Sequence, residues 1–113
     1  MARGDVLIIE LPSSGGREQA GRRPAIAVQA DSTDSQLPTL MIVPITSKLN
    51  AQRFPHTILV DPSQTNGLTS PSVLLVFQLR AIDRQRIQKK IGELEQYYLD
   101  QLDIEMQNLL NLN

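Results

Sequence analysis

Up to about Leu94 this chain is a succession of short β-rich runs, and from Glu95 its apolar residues recur at helical spacing instead. That change of period constrains the fold more than any other feature. The runs Asp5–Leu11, Ala25–Ala30, Leu40–Ile45, His56–Val60, Ser72–Ile82 and Lys90–Leu94 each predict a strand. Turn residues such as Pro12-Ser-Ser-Gly-Gly and Asn66-Gly67 punctuate them. Tyr98, Leu102, Met106, Leu109 and Leu110 then form one stripe of an amphipathic helix, which packs on the core or meets a partner. Five or six strands with one terminal helix predict a small, mostly β barrel in a single domain, residues 1–113.

Finer expectations follow from the same runs. Pro44 lacks an amide donor, which predicts an edge or a bulge in the third strand. In Ser72–Ile82, the longest strand candidate, alternation sets Gln78 and Arg80 on one face and Phe77 and Leu79 on the other. Asp83–Lys89 fits a short helical turn that Asp83 would cap.

With two Phe, two Tyr and no Trp, the core must be mostly aliphatic. The absence of cysteine excludes disulfides, thiolate nucleophiles and cysteine-bound metals. A single histidine, His56, removes two-histidine metal sites and most Ser-His-Asp arrangements. Beside Pro55 at a loop-to-strand junction, it reads as structural. No apolar run is long enough to span a membrane and no signal peptide is legible, so a cytoplasmic protein is expected.

Gly15–Pro24 packs three arginines and three glycines into ten residues between two predicted strands. Glycine allows close backbone approach, and an arginine fork matches phosphate or carboxylate oxygens. A solvated hairpin loop accounts for the composition equally well. The net charge of −1 hides an asymmetry. Gln78–Ile91 holds five basic residues against one acid, and Gly92–Asn113 holds five acids and no Lys or Arg. Either the basic segment offers a surface to a polyanion or both segments are ordinary solvated faces.

Four motifs occur in the order and spacing of a known family: Arg3-Gly4-Asp5; Glu18-Gln19-Ala20-Gly21-Arg22-Arg23-Pro24; Pro44-Ile45-Thr46-Ser47; and Gln78-Leu79-Arg80-Ala81-Ile82-Asp83 with Arg86 following. On these the chain resembles the MazF/PemK toxin endoribonucleases along its whole length. The resemblance implies an SH3-like barrel, a homodimer and a cognate antitoxin whose disordered acidic segment competes for the basic groove. It also implies metal- and cofactor-independent cleavage of single-stranded RNA (mRNA) at short sequence motifs, leaving a 2′,3′-cyclic phosphate and a 5′-hydroxyl. The catalytic pair would be Arg23 and Thr46. Glu18, Gln19, Ser47, Lys48, Gln78 and Arg80 would contact RNA or support the groove.

The chemistry suits the composition. The nucleophile is the substrate's own 2′-hydroxyl, so the protein need only orient ribose and stabilise charge on phosphorus. Guanidinium stays protonated, which makes transition-state electrostatics the role for Arg23. The alternatives at these positions are an ion pair for Arg23 and a strand end for Thr46. The chain departs from some family members in two slots, with Phe77 where an aspartate can precede the glutamine and Arg17 where a histidine can precede Glu-Gln. Which group deprotonates the 2′-hydroxyl stays open. Aromatics for base stacking are few, and only Phe54 falls in a predicted loop. Two other readings share the fold. A CcdB-like gyrase poison would need a C-terminal Trp-Gly-Ile where this chain ends Asn111-Leu112-Asn113, and the other reading is a non-catalytic RNA-binding barrel. Leu40–Ile45 is expected to supply part of the dimer interface.

Overall fold

In the computed structural model, which describes residues 1–11, 21–31 and 36–112, β1 spans Asp5–Leu11 as its sequence predicts. The further strands are β2 (Gly21–Ala27), β3 (Thr39–Thr46), β4 (Thr57–Val60), β5 (Ser72–Leu75), β6 (Arg80–Asp83) and β7 (Ile87–Glu93). One helix, α1 (Gln96–Leu110), closes the described chain. The architecture is therefore mostly β with a C-terminal helix. Among the described residues the strands number seven rather than five or six, and they pair along an open path, β4-β5-β3-β2-β1-β7, with β6 beside β3. "Barrel" describes that sheet only loosely.

Alternation splits the side chains of β1 between two cores. Val6 joins Ile26, Val43, Ile45, Ile58, Val60 and Leu74 on the face that α1 covers, where Leu102 is fully buried. Tyr98, Leu99, Met106 and Leu109 pack against that core, so most of the predicted helical stripe faces inward. Leu110 does not, being exposed near the helix end. On the opposite face Leu7, Ile9, Leu11, Ala25, Ala27, Leu40, Ile42 and Ile82 form a second core, and Ala51, Val73 and Leu75 a third.

β3 is the central strand, and this corrects one expectation. It is held by β2 along one edge and by β6 and then β5 along the other. Leu40, Ile42, Val43 and Ile45 are buried within the chain's own core, and Met41 is the partly exposed apolar residue of the run. Pro44 lies neither at the sheet edge nor in a bulge of the β2 ladder, where it pairs with Ala25. On the other edge the pairs stop at Ile42 and resume at Ile45. The missing amide therefore falls where β3 changes neighbours and no ladder bond is needed.

The predicted strand Ser72–Ile82 is broken for the same reason. Along the shared edge β3 moves three residues, Ile45 to Ile42, while its partner moves six, Leu74 to Arg80. The three surplus residues form a 3-10 turn, Val76–Gln78. Alternation ends at that turn, and the expected division of Gln78 and Arg80 from Phe77 and Leu79 does not hold: Phe77 and Gln78 line one cavity. β2 also differs from expectation, beginning at Gly21 and ending at Ala27, which places Arg22 and Arg23 inside the strand. Of the turn expected over Asp83–Lys89 only Arg84–Arg86 forms, with the Asp83 side chain accepting the Gln85 amide at 2.8 Å, and Ile87–Lys89 already belong to β7.

The motif Arg3-Gly4-Asp5 ties the chain start to its end. Arg3 pairs with Asp103 of α1, and Leu94 donates to the Gly4 carbonyl at 2.8 Å. Asp5, buried, accepts the Ala2 amide at 2.9 Å and meets Lys90 at 3.2 Å. His56 is structural in the same sense. It opens the way into β4 at φ 59°, and its Nδ1 lies 3.0 Å from Glu105 of α1.

Candidate functional site

The second face carries both predicted catalytic residues. Arg23 of β2 pairs directly with Ile9, whose side chain lies in the second core, and opposite residues of an antiparallel pair share a face. Thr46, the last residue of β3, pairs with Val73 of the third core. The β2–β3 ladder ends at Ala25–Pro44. Arg23 and Thr46 each stand two residues beyond that last pair, past the end of the ladder.

Thr46 is 6% exposed, and its Oγ1 accepts the Lys48 backbone N–H at 3.2 Å. That bond fixes the oxygen and leaves the hydroxyl hydrogen to be given to another group. The residue borders a cavity of about 270 Å³ that also takes in Lys48 and Gln78. Phe54 and Phe77 line it with ring centroids 5.3 Å apart and planes at 58°. Arg53, in the 3-10 segment Leu49–Arg53, lays its guanidinium 4.3 Å from the Phe54 centroid and donates to the Asn50 carbonyl at 3.1 Å.

Arg23 also borders a separate cavity of about 410 Å³, walled from the first-core side by Leu68 and Ile91, with Arg22, Lys89, Thr69 and Ile8. Its side chain and this cavity are therefore not on the same face. Among the described residues no carboxylate pairs with Arg23, while Arg22 is oriented by a bond to Gln88. The basic segment is thus only partly available to a polyanion. Lys89 faces the Arg23 cavity, but Lys90 is engaged by Glu93 and Asp5, whose hydrogen bonds raise its pKa. Arg84 holds the Leu37 carbonyl at 2.7 Å.

Of the predicted RNA contacts, Lys48 and Gln78 join Thr46 at one cavity. Ser47 is exposed and Arg80, partly buried at the start of β6, lines neither cavity. Glu18 and Gln19 lie outside the described residues. The sequence reading missed Asn50 and Arg53, named Arg22 only within a motif and Lys89 only within the basic segment, and assigned Phe77 no task. The signal for two of these was present: the Arg53-Phe54 dipeptide sits beside the one predicted loop aromatic, and Phe77 occupies a slot where a carboxylate can stand. Among the described residues no three His, Asp or Glu side chains cluster as metal ligands, and no helix is long and apolar enough to cross a membrane.

The fold these elements build is that of known toxins. The MazE–MazF structure (Form-II) from Deinococcus radiodurans matches it with a TM-score of 0.78 and 23% identity, covering 100% of this chain and 97% of that one. The family described as PemK-like, MazF-like toxin of type II toxin-antitoxin system matches residues 2–110. Endoribonuclease EndoA of Bacillus subtilis (strain 168) is 34% identical over 110 residues, 97% of this chain and 94% of the relative. Endoribonuclease MazF of Staphylococcus saprophyticus is 30% identical over 113 residues, 100% of this chain and 90% of the relative. The chain belongs to the PemK/MazF toxin family.

Proposed function

We propose that this chain is the toxin of a toxin–antitoxin pair and a sequence-specific, metal-independent endoribonuclease acting on single-stranded RNA in the cytoplasm. The observation that carries the reading is its end-to-end similarity to two named endoribonucleases, EndoA and MazF. The site supplies the chemistry. The 2′-hydroxyl of one nucleotide attacks the adjacent phosphorus as its proton departs. The new O2′–P bond replaces the P–O5′ bond, and the leaving oxygen takes up a proton. A cyclic phosphate and a 5′-hydroxyl result.

Arg23, exposed and without a carboxylate partner among the described residues, would clamp the non-bridging oxygens as charge builds on them. The Thr46 hydroxyl, anchored through Lys48 N–H, would donate one further bond. Lys48 and Gln78 would contact the RNA beside Thr46, with Ser47, Arg80, Glu18 and Gln19 further along the groove. A cognate antitoxin is the expected inhibitor, since a structural neighbour is a MazE–MazF complex. We take the toxin to act as a homodimer.

The test is to incubate purified protein with long mixed-sequence RNA in excess EDTA, beside Arg23→Ala, and to map and chemically identify the ends. Discrete cuts bearing cyclic phosphate, absent in the variant, support the reading. No cutting on several RNAs would sink it and leave the non-catalytic or gyrase-binding alternatives for a supercoiling assay.

A further inference from the structure

The Thr46 cavity is more aromatic than this chain's composition would suggest. Both of its phenylalanines, Phe54 and Phe77, line it, and both are half-buried. They come from separate 3-10 elements: Phe77 lies in Val76–Gln78, and Phe54 directly follows Leu49–Arg53. Arg53 stacks on Phe54, so planar surfaces and a delocalised cation meet at one place. Asn50 and Gln78 stand on the same lining, and among the described residues no Asp or Glu does. At about 270 Å³ the cavity falls just below the range typical of drug-sized ligands, which suits a single ring system.

We propose that this cavity takes one unpaired nucleobase of the RNA, stacked on Phe77 and the Arg53–Phe54 pair, with the Asn50 and Gln78 amides reading its edge. The proposal rests on the RNA-binding part of the function above. Unpaired bases are held by aromatic and guanidinium planes and distinguished by amide hydrogen bonds. Thr46 borders the same space, so the captured base belongs to a nucleotide at or next to the scissile phosphate. Lys48 and Arg53 on the same lining favour the approach of the phosphodiester. Phe77 thus provides a sequence-selecting surface in a slot where some relatives carry an acid.

The experiment measures fluorescence anisotropy of the full chain with a labelled pool of mixed-sequence 2′-O-methyl RNA octamers. The blocked 2′-oxygen lets binding be read without cleavage. Phe54→Leu and Phe77→Leu each keep an apolar side chain but lose the ring, and each should weaken binding about 5- to 150-fold, read well below the melting temperature because Phe77 also packs on the third core. Phe77→Tyr retains the ring and the affinity. On cleavable RNA, Phe77→Leu should broaden base preference at one position beside the cut. Should one leucine variant fold poorly, the other carries the same test. Wild-type affinity in a folded leucine variant overturns the proposal, as does a Phe77→Tyr loss equal to that of Phe77→Leu, or a wild type that binds none of the pool. A wild type that binds the pool in a ring-dependent way but cuts no RNA defeats the nuclease reading alone.

Discussion

The Asn66 side chain donates to the Glu95 carboxylate at 3.1 Å, joining the turn after β4 to the residue that precedes α1. Asn66 is fully buried and every polar atom of its amide is matched. Its Nδ2 also reaches the Asp61 carbonyl, and its Oδ1 accepts the Ser63 and Leu68 amides. Ser63 donates to the other Glu95 oxygen at 2.7 Å. Burial pushes the Glu95 pKa up, but the bonds from Ser63, its own amide and Asn66 outweigh it and hold the group below the ordinary 4.5. A depressed carboxylate pKa means that the unfolded state binds more protons, so stability rises with pH. This contribution is whole above about 4.5 and lost as pH falls through the folded value. Glu95→Gln should lower unfolding free energy by about 1–2 kcal/mol at pH 7. In denaturant titrations the gap from wild type should narrow as pH falls below the ordinary carboxylate range; a gap constant on acidification would remove the carboxylate from the account.

Asn66 also fixes where the backbone runs. Gly67 has φ 73°, and a Cβ there would sit 2.1 Å from the Ile91 carbonyl oxygen of β7. A Cβ on Gly92 would lie 2.4 Å from the Asn66 carbonyl carbon. These are backbone-to-backbone approaches that no rotamer change relieves. Gly67→Ala and Gly92→Ala should each destabilise by more than about 3 kcal/mol, at the severe end for point changes. Calorimetry reads this directly, and a melting temperature near wild type for either would show that the turn can move away from β7.

Arg23 and Thr46 separate function from stability in a different way. Arg23 is exposed, so Arg23→Ala should leave melting within a degree or two while cleavage falls by about a hundredfold or more. Thr46→Val keeps the shape of a 6%-exposed side chain and removes its hydroxyl. It should reduce cleavage by a similar factor, with about 1 kcal/mol of stability lost because the Lys48 amide loses its acceptor. Single-turnover kinetics beside thermal melts check both. A variant that cleaves normally, or loses activity only in step with unfolding, would return that residue to a structural role.

What the sequence disclosed was local, and what it concealed was pairing. β1 was legible to the residue because an apolar run ends in a proline and glycine cluster. Asp83 as a cap was legible because its side chain acts within two residues. The break at Val76–Gln78 was not, since nothing in Ser72–Ile82 records that β3 needs three fewer residues than its partner supplies. Pro44 misled for the same reason: the rule that expels proline from central strands assumes a neighbour all along both edges. At the site, Thr46, Lys48 and Gln78 were found by motif and do converge. Arg53 and Phe77 had no motif, and their meeting depends on two 3-10 turns that periodicity does not predict.

The proposed homodimer can be given a surface. Most of β3 is enclosed, and β4 is the terminal strand of the open path among the described residues. Leu59 in it is 44% exposed opposite Val73, and Leu49, in the adjoining 3-10 segment, is 43% exposed. An apolar side chain on an unpaired strand edge invites a second chain. Light scattering should give about twice the 12.6 kDa chain mass. Leu59→Lys puts a charge on that edge where little is buried, and should shift the protein toward monomer at micromolar concentration while the circular dichroism spectrum is kept. A monomeric wild type would sink the dimer. A Leu59→Lys protein that stays dimeric would place the interface away from β4.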